Sequence, residues 1–247
     1  MTKASTKSGK PSRDLIDELV TGNYILSHEK VVDAFGHISV RHDKDPAKFL
    51  MARHLAPGLV KAKDIVTFDL DSNPVANPAK RYYSERFIHG EIYKARPEVM
   101  AVVHCHASPL IPFGATRTPL RPIYHMSAYL GAGVPVFEIR DAGGQTDMLI
   151  RTPERGRALA ATLGPKPIVL MRGHGATMVG VSIKQVVYRS VYAAMNAMLQ
   201  MDALRLGSPT YLEGEEATLA GAANDRSLDR AWGYWVDAAM GKSRSRR

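Results

Sequence analysis

Residues 99–106 read Val-Met-Ala-Val-Val-His-Cys-His, an apolar run that delivers two histidines two positions apart. Side chains at i and i+2 of an extended segment project from the same face. His104 and His106 therefore aim two imidazoles at one point, while Cys105 faces the other way as a small core residue rather than a nucleophile. Such a pair suits a divalent ion, and it also suits two strand histidines that are merely hydrogen-bonded. A third donor tips the balance. His174 follows the apolar strand Ile168–Met171 and stands between Gly173 and Gly175, where the backbone can turn sharply and present an imidazole at a strand end. The alternative for His174 is a turn histidine with one backbone hydrogen bond. Three imidazoles leave open positions on an ion, which marks a catalytic rather than a structural site. Glu85, expected in the first turn of a helix capped by Ser84, supplies a carboxylate, although a first-turn glutamate also suits the helix dipole alone.

Working outward, Ser12 is expected to cap a helix running to about His28, because Leu15, Ile16, Leu19, Val20 and Asn23 recur at helical spacing. Short β-like runs follow at Ile38–Arg41, Phe49–Ala52 and Ile65–Leu70, with a turn at residues 71–74. The Ser84 helix ends at about Ala95 before Pro97. Val99–Val103 and Val136–Ile139 read as strands. Thr152-Pro153-Glu154 opens a helix with proline at its first position, and Gly164 closes it. Ser182–Leu206 is a long helix. Strands alternate with helices and no repeat is visible, which favours one α/β domain with helices packed on a mixed sheet. Residues 1–11 read as a disordered basic arm, residues 12–210 as the domain, and residues 211–247 as an extension with a short helix, Ser227–Met240, and a basic tail. Leu228, Trp232, Trp235 and Val236 share one face of that helix. They either dock on a neighbouring subunit as a lid or complete their own core.

The chain has 247 residues and a formal charge of +9, much of it in the arm and the terminal Lys-Ser-Arg-Ser-Arg-Arg. The remaining basic residues are scattered and form no zinc finger, RNP or basic zipper, so nucleic acid is not the expected partner. No run approaches the roughly 20 apolar residues of a membrane span, and no apolar segment follows the arm as a secretory signal requires. A solitary Cys105 fits a reducing cytoplasm.

Taken in order, Gly36-His37-Ile38-Ser39, Ser84-Glu85 with His89, His104-Cys105-His106 and Gly173-His174-Gly175 resemble the class II aldolase/adducin family over about residues 12–210. The resemblance implies a three-layer class II aldolase-like α/β fold, its central, mostly antiparallel sheet flanked by helices. It also implies a homotetramer with active sites between subunits. Carried over residue by residue, His104, His106 and His174 become ligands of one divalent ion per subunit (zinc, manganese, iron or cobalt), and Glu85 becomes the acid/base group. Aldolases of the family carry Gly-Asn at the first motif and paired small hydroxyl residues before the glutamate. Here Gly36-His37 and Tyr82-Tyr83-Ser84 stand there, which disfavours a sugar phosphate.

The segments at 87–99, 112–126 and 133–141 are similar to a hydroxy-aromatic dicarboxylate decarboxylase subgroup, as represented by 3-hydroxy-2-methylpyridine-4,5-dicarboxylate and 3,4-dihydroxyphthalate decarboxylases. The resemblance implies a small anionic aromatic substrate. His37, Ser39 and Arg41 are candidates for holding a second carboxylate, the arginine through its planar fork, with a plain β-strand bearing an outward Arg41 as the equal alternative. Tyr83 and His125 complete the candidate substrate contacts, and His125 also has a purely structural alternative. His89 stands one turn after Glu85 and can orient it. His28, His42 and His54 are expected on the surface or in loops. Rival functions are retro-aldol cleavage with the same metal and glutamate, an iron-dependent oxygenase, and an adducin-like interaction module.

Overall fold

The computed structural model describes residues 9–75 and 81–241. Residues 1–8 of the basic arm and the whole of the basic tail lie outside the described residues.

The first helix, α1 (Arg13–His28), starts as its sequence requires. The Ser12 side chain accepts the Leu15 N–H at 3.3 Å, and Leu19, Ile25 and Leu26 form its buried stripe. Three strands follow, β1 (His37–Arg41), β2 (Lys48–Ala52) and β3 (Ile65–Asp69), and then α2 (Phe87–Ala95). This helix begins later than its sequence suggested. Residues 84–86 form a turn, with Arg86 rather than Ser84 at the cap position. Arg86 holds that turn itself, donating to the carbonyls of Ser72 at 2.8 Å and Tyr83 at 3.2 Å. Glu85 is thereby freed from the helix surface.

Next come β4 (Ala101–Cys105), α3 (Ile111–Ala115), β5 (Val136–Phe137), α4 (Ile139–Gly143) and α5 (Pro153–Leu163). The expected strand to Ile139 stops at Phe137 because the Glu138 carboxylate caps α4 through the Arg140 N–H. At α5, Thr152 caps the helix, Pro153 opens it and Gly164 closes it, as the sequence indicates. The chain ends with β6 (Ile168–Met171), β7 (Gly175–Gly180), α6 (Ile183–Leu206), α7 (Gly214–Asp225) and α8 (Leu228–Ala239). Strand β7 and helix α7 are not foreseen in the sequence.

The seven strands form one sheet in the order β3-β2-β1-β4-β7-β6-β5, antiparallel except for the β5–β6 pair. Its two faces carry separate cores. Ile38, Val40, Val103, Cys105 and Met178 point toward α1, α6 and α8, whereas Val102, Val169 and Val179 point toward α2 and α5. The result is three layers, with period-2 alternation assigning each strand side chain to one of them. Fully buried Cys105 lies on the α6 face, opposite to His104, and burial pushes its thiol up to about 11. Trp235 of α8 is buried against Tyr188 and Tyr192 of α6, so this tryptophan completes its own chain's core. Among the described residues, no helix is long and apolar enough to cross a membrane.

Candidate metal centre and substrate cavity

Three segments bring the donors together. His104 sits in β4, His106 follows the end of that strand, and His174 occupies the tight β6–β7 connection, where its N–H donates to the Met171 carbonyl at 3.0 Å. Gly173 takes φ +63° to make this turn. Gly175 is required for a different reason. A Cβ there would overlap the Cys105 carbonyl, so only glycine lets β7 approach β4 beneath the histidines.

The three Nε2 atoms converge, 3.1 Å apart for His104–His106 and 3.0 Å for His106–His174. Glu85 Oε2 stands 3.7 Å from His104 Nε2 and 3.5 Å from His174 Nε2. These donor atoms all lie within 4.8 Å of one another. Nitrogens sharing an ion at about 2.0–2.2 Å are necessarily about 3.0–3.5 Å apart, so the observed spacing fits a divalent cation. The ring tautomers fit as well. His174 Nδ1 donates to the Met148 carbonyl at 3.0 Å, which leaves the Nε2 lone pair facing the cluster. Burial pushes His104 down to about 3 and also lowers His106, keeping both rings in the neutral form that binds metal.

Glu85 is buried. Burial opposes its ionisation, but the His174 and His104 rings and the Ile150 N–H, 2.9 Å from Oε1, together hold its carboxyl below the usual carboxylate range. It is therefore a carboxylate with one oxygen tied to backbone and the other facing the histidines.

A cavity of about 310 Å³ opens beside this cluster, lined by Phe35, His37, His54, Tyr83, Glu85 and His106 among others. Gly36 brings β1 to its wall. With φ +92°, and with Val32 where a Cβ would stand, no other residue fits without displacement. Tyr83 and His37 lie with ring centroids 4.6 Å apart. The Tyr83 hydroxyl donates to the Leu55 carbonyl and burial pushes it up to about 12, so this residue offers a ring face rather than a base.

Other sequence candidates lie elsewhere. Ser39 is fully buried behind His37 and bonded to His89 and Tyr93. The Arg41 guanidinium is spent on the carbonyls of Pro46, Tyr93, Arg96 and Val99. Neither side chain lines the cavity, so the expected carboxylate clamp is not formed by these two. Both side chains lie beneath the cavity wall, under the cover of α2. His125 lines a separate cavity of about 670 Å³ beside Tyr188, Tyr192 and Trp235. His89 is fully buried and bonded to His37 and Ser39 rather than to Glu85. His54 is exposed in a loop, as expected, and from there joins the cavity wall.

Thr177 was not foreseen either. It pairs with His104 across β4–β7 and places its hydroxyl 3.4 Å from His104 Nδ1. Its signal was present, since a β-branched residue two positions after Gly175 faces the same side as the strand start. The backbone contributions of Met148 and Ile150 carry no side-chain signature at all.

The fold and this cluster define a class II aldolase-type scaffold. Residues 17–201 match the Class II Aldolase and Adducin N-terminal domain, and the chain belongs to that family. It is 37% identical to decarboxylase tropJ of Talaromyces stipitatus, over 92% of this chain and 94% of that protein. Identity to the 3,4-dihydroxyphthalate decarboxylase of Arthrobacter keyseri is 29%, covering 74% of this chain and 76% of that one. Among solved structures, an aldolase II superfamily protein from Pseudomonas syringae superposes with a TM-score of 0.77 at 21% identity, covering 96% of both chains. The L-fuculose 1-phosphate aldolase of Glaciozyma antarctica gives 0.76 at 20% identity, covering 92% of this chain and 90% of that one.

Proposed function

We propose that this protein is a metal-dependent lyase that decarboxylates a hydroxylated aromatic or pyridine dicarboxylate. The observation that carries the reading is the convergence of His104, His106 and His174 with ionised Glu85 at the wall of a cavity that Phe35, His37, His54 and Tyr83 also line. Relatives named as decarboxylases, one of them acting on an aromatic dicarboxylate, support the reaction class.

His104, His106 and His174 would hold one divalent ion, which would supply Lewis acidity to stabilise negative charge developing on the substrate. Glu85 takes the proton of the ring hydroxyl and returns it to the carbon that bears the carboxylate. The carbon–carbon bond then breaks, carbon dioxide leaves, and its electron pair restores the aromatic ring as a phenolate, which takes a proton from water. The Ile150 N–H keeps Glu85 Oε1 fixed, so Oε2 is the oxygen that carries the proton. Tyr83 and Phe35 supply flat apolar surface for the ring, and His37 and His54 supply the polar contacts. Exposed Met195, Met198 and Leu199 on α6 support association with further copies into a tetramer.

The test is release of carbon dioxide from 3,4-dihydroxyphthalate and hydroxylated pyridine dicarboxylates by the protein loaded with zinc, manganese, iron or cobalt. Aldehyde formation from a hydroxy-carbonyl compound, with no carbon dioxide from any diacid, would replace this reading by retro-aldol cleavage. Oxygen consumption would replace it by an oxygenase.

A further inference from the structure

We infer that the buried chain Tyr93–Ser39–His89 fixes His37 as the Nε2–H tautomer, so that His37 offers a neutral N–H donor to the cavity and selects an oxygen acceptor there. The hydrogen-bond geometry is continuous. Tyr93 Oη lies 2.7 Å from Ser39 Oγ, Ser39 Oγ 2.6 Å from His89 Nδ1, and His89 Nε2 2.7 Å from His37 Nδ1. Tyr93, Ser39 and His89 are completely or almost completely buried.

The polarity of the chain follows from proton accounting. A buried phenol must place its single proton, and among the described residues the hydroxyl's side-chain partner is Ser39 Oγ. Tyr93 therefore donates to Ser39, and Ser39 must pass its own proton to His89 Nδ1. With Nδ1 accepting, a neutral His89 carries its proton on Nε2 and donates it to His37 Nδ1. His37 then holds its proton on Nε2, the nitrogen left for the cavity that the ring lines. The reverse polarity would strand the Tyr93 proton in the core and turn His37 into an acceptor. Both rings are buried, which disfavours a second, charging proton on either.

The consequence is recognition. A neutral donor beside the Tyr83 ring favours a carboxylate, phenolate or carbonyl oxygen and rejects a donor group at that place. This deepens the proposed function, on which the assignment of the acceptor to an aromatic carboxylate rests. Ser39, His89 and Tyr93 are positioning residues, because none of them lines the cavity.

Multiple-bond nitrogen–proton NMR of the protein at neutral pH reads the His37 tautomer directly, with or without added zinc. The expected result is Nε2–H in the parent, a mixture of tautomers in Ser39→Ala, and recovery in Ser39→Thr, which restores the hydroxyl. Nδ1–H in the parent, or a His37 signal unchanged by Ser39→Ala, overturns the inference. Should Ser39→Ala fail to fold, Tyr93→Phe removes the proton that orients the chain and gives the same readout. With 3,4-dihydroxyphthalate as probe, His37→Phe raises KM by about 10-fold or more and His37→Asn, which keeps a donor, raises it less. A parent that does not turn over this probe defeats the substrate reading and leaves the NMR result standing.

Discussion

The Ile150 backbone N–H donates to Glu85 Oε1 at 2.9 Å, tying the catalytic candidate to the segment that precedes α5. The same segment supplies the Met148 carbonyl that orients His174, and Met148 adopts φ +67° to do so. One loop thus clamps both Glu85 and a metal-ligand candidate. Replacing Glu85 by Gln keeps an oxygen for Ile150 and nearly the same shape, so folding and metal content are expected to persist. Proton transfer is lost, lowering kcat by roughly 100- to 10,000-fold. A Gln variant turning over at the parent rate would remove Glu85 from the mechanism.

Metal binding is expected at about one ion per chain, because the three imidazole nitrogens form a single cluster. Elemental analysis after zinc loading measures the stoichiometry. His106→Ala should reduce it below half and abolish activity together with it. Binding to the folded state also stabilises it, by about 2.7 kcal/mol at a free zinc concentration 100 times Kd. A melting temperature insensitive to zinc and to chelation, with no metal retained, contradicts the site.

The fold was legible where the sequence carries periodicity or punctuation. Ser12, Pro153 and Gly164 mark helix ends that the structure reproduces, and the alternation through His104-Cys105-His106 separated site from core correctly. Strand β7 was not legible, because Gly175 and Gly180 lower its strand propensity while the close packing that demands them is a tertiary fact. The α2 boundary moved for a similar reason. Arg86 reaches back to the Ser72 carbonyl, a contact 14 residues away that no local cap rule contains. For the site, residue types were readable and depth was not. His37, Ser39 and Arg41 alternate with Ile38 and Val40, yet only His37 reaches the cavity, since α2 covers the rest of the strand.

Acid should destabilise the metal-free protein before its carboxylates titrate. His37, His89 and His104 are buried and held below the ordinary imidazole value of 6.5, His89 and His104 at about 3. The unfolded chain takes up protons at these rings as pH falls through 6.5 and the folded chain does not. Their contribution is therefore fully present above pH 6.5 and declines toward pH 3, by at most about 1.4 kcal/mol per pH unit for each ring. Urea midpoints measured from pH 7.5 to 5 should fall steadily, and His89→Gln, which removes one titrating ring, should flatten the slope. A midpoint independent of pH across that range contradicts neutral burial.

Trp235 provides the sharpest separation between the two roles open to α8. Its ring packs 5.8 Å from Tyr192 and 6.3 Å from Tyr188 on the sheet face opposite to His104, within the core that also holds Leu19, Ile38 and Val103. Truncating so large a buried side chain typically costs about 3–5 kcal/mol through lost burial and an unfilled cavity. Trp235→Ala is therefore expected to lower the urea midpoint by an amount corresponding to that range while zinc stoichiometry stays near one, because the mutated layer lies across the sheet from the ligands. Tyr234 on the same helix is 71% exposed, and Tyr234→Ala serves as the control, with stability changed by about 0.5 kcal/mol or less. The lid alternative requires the opposite pattern, in which Trp235→Ala leaves the midpoint intact and weakens substrate binding alone. A variant that unfolds completely at neutral pH still places Trp235 in its own chain's core, since loss of a lid would leave the three-layer sheet standing.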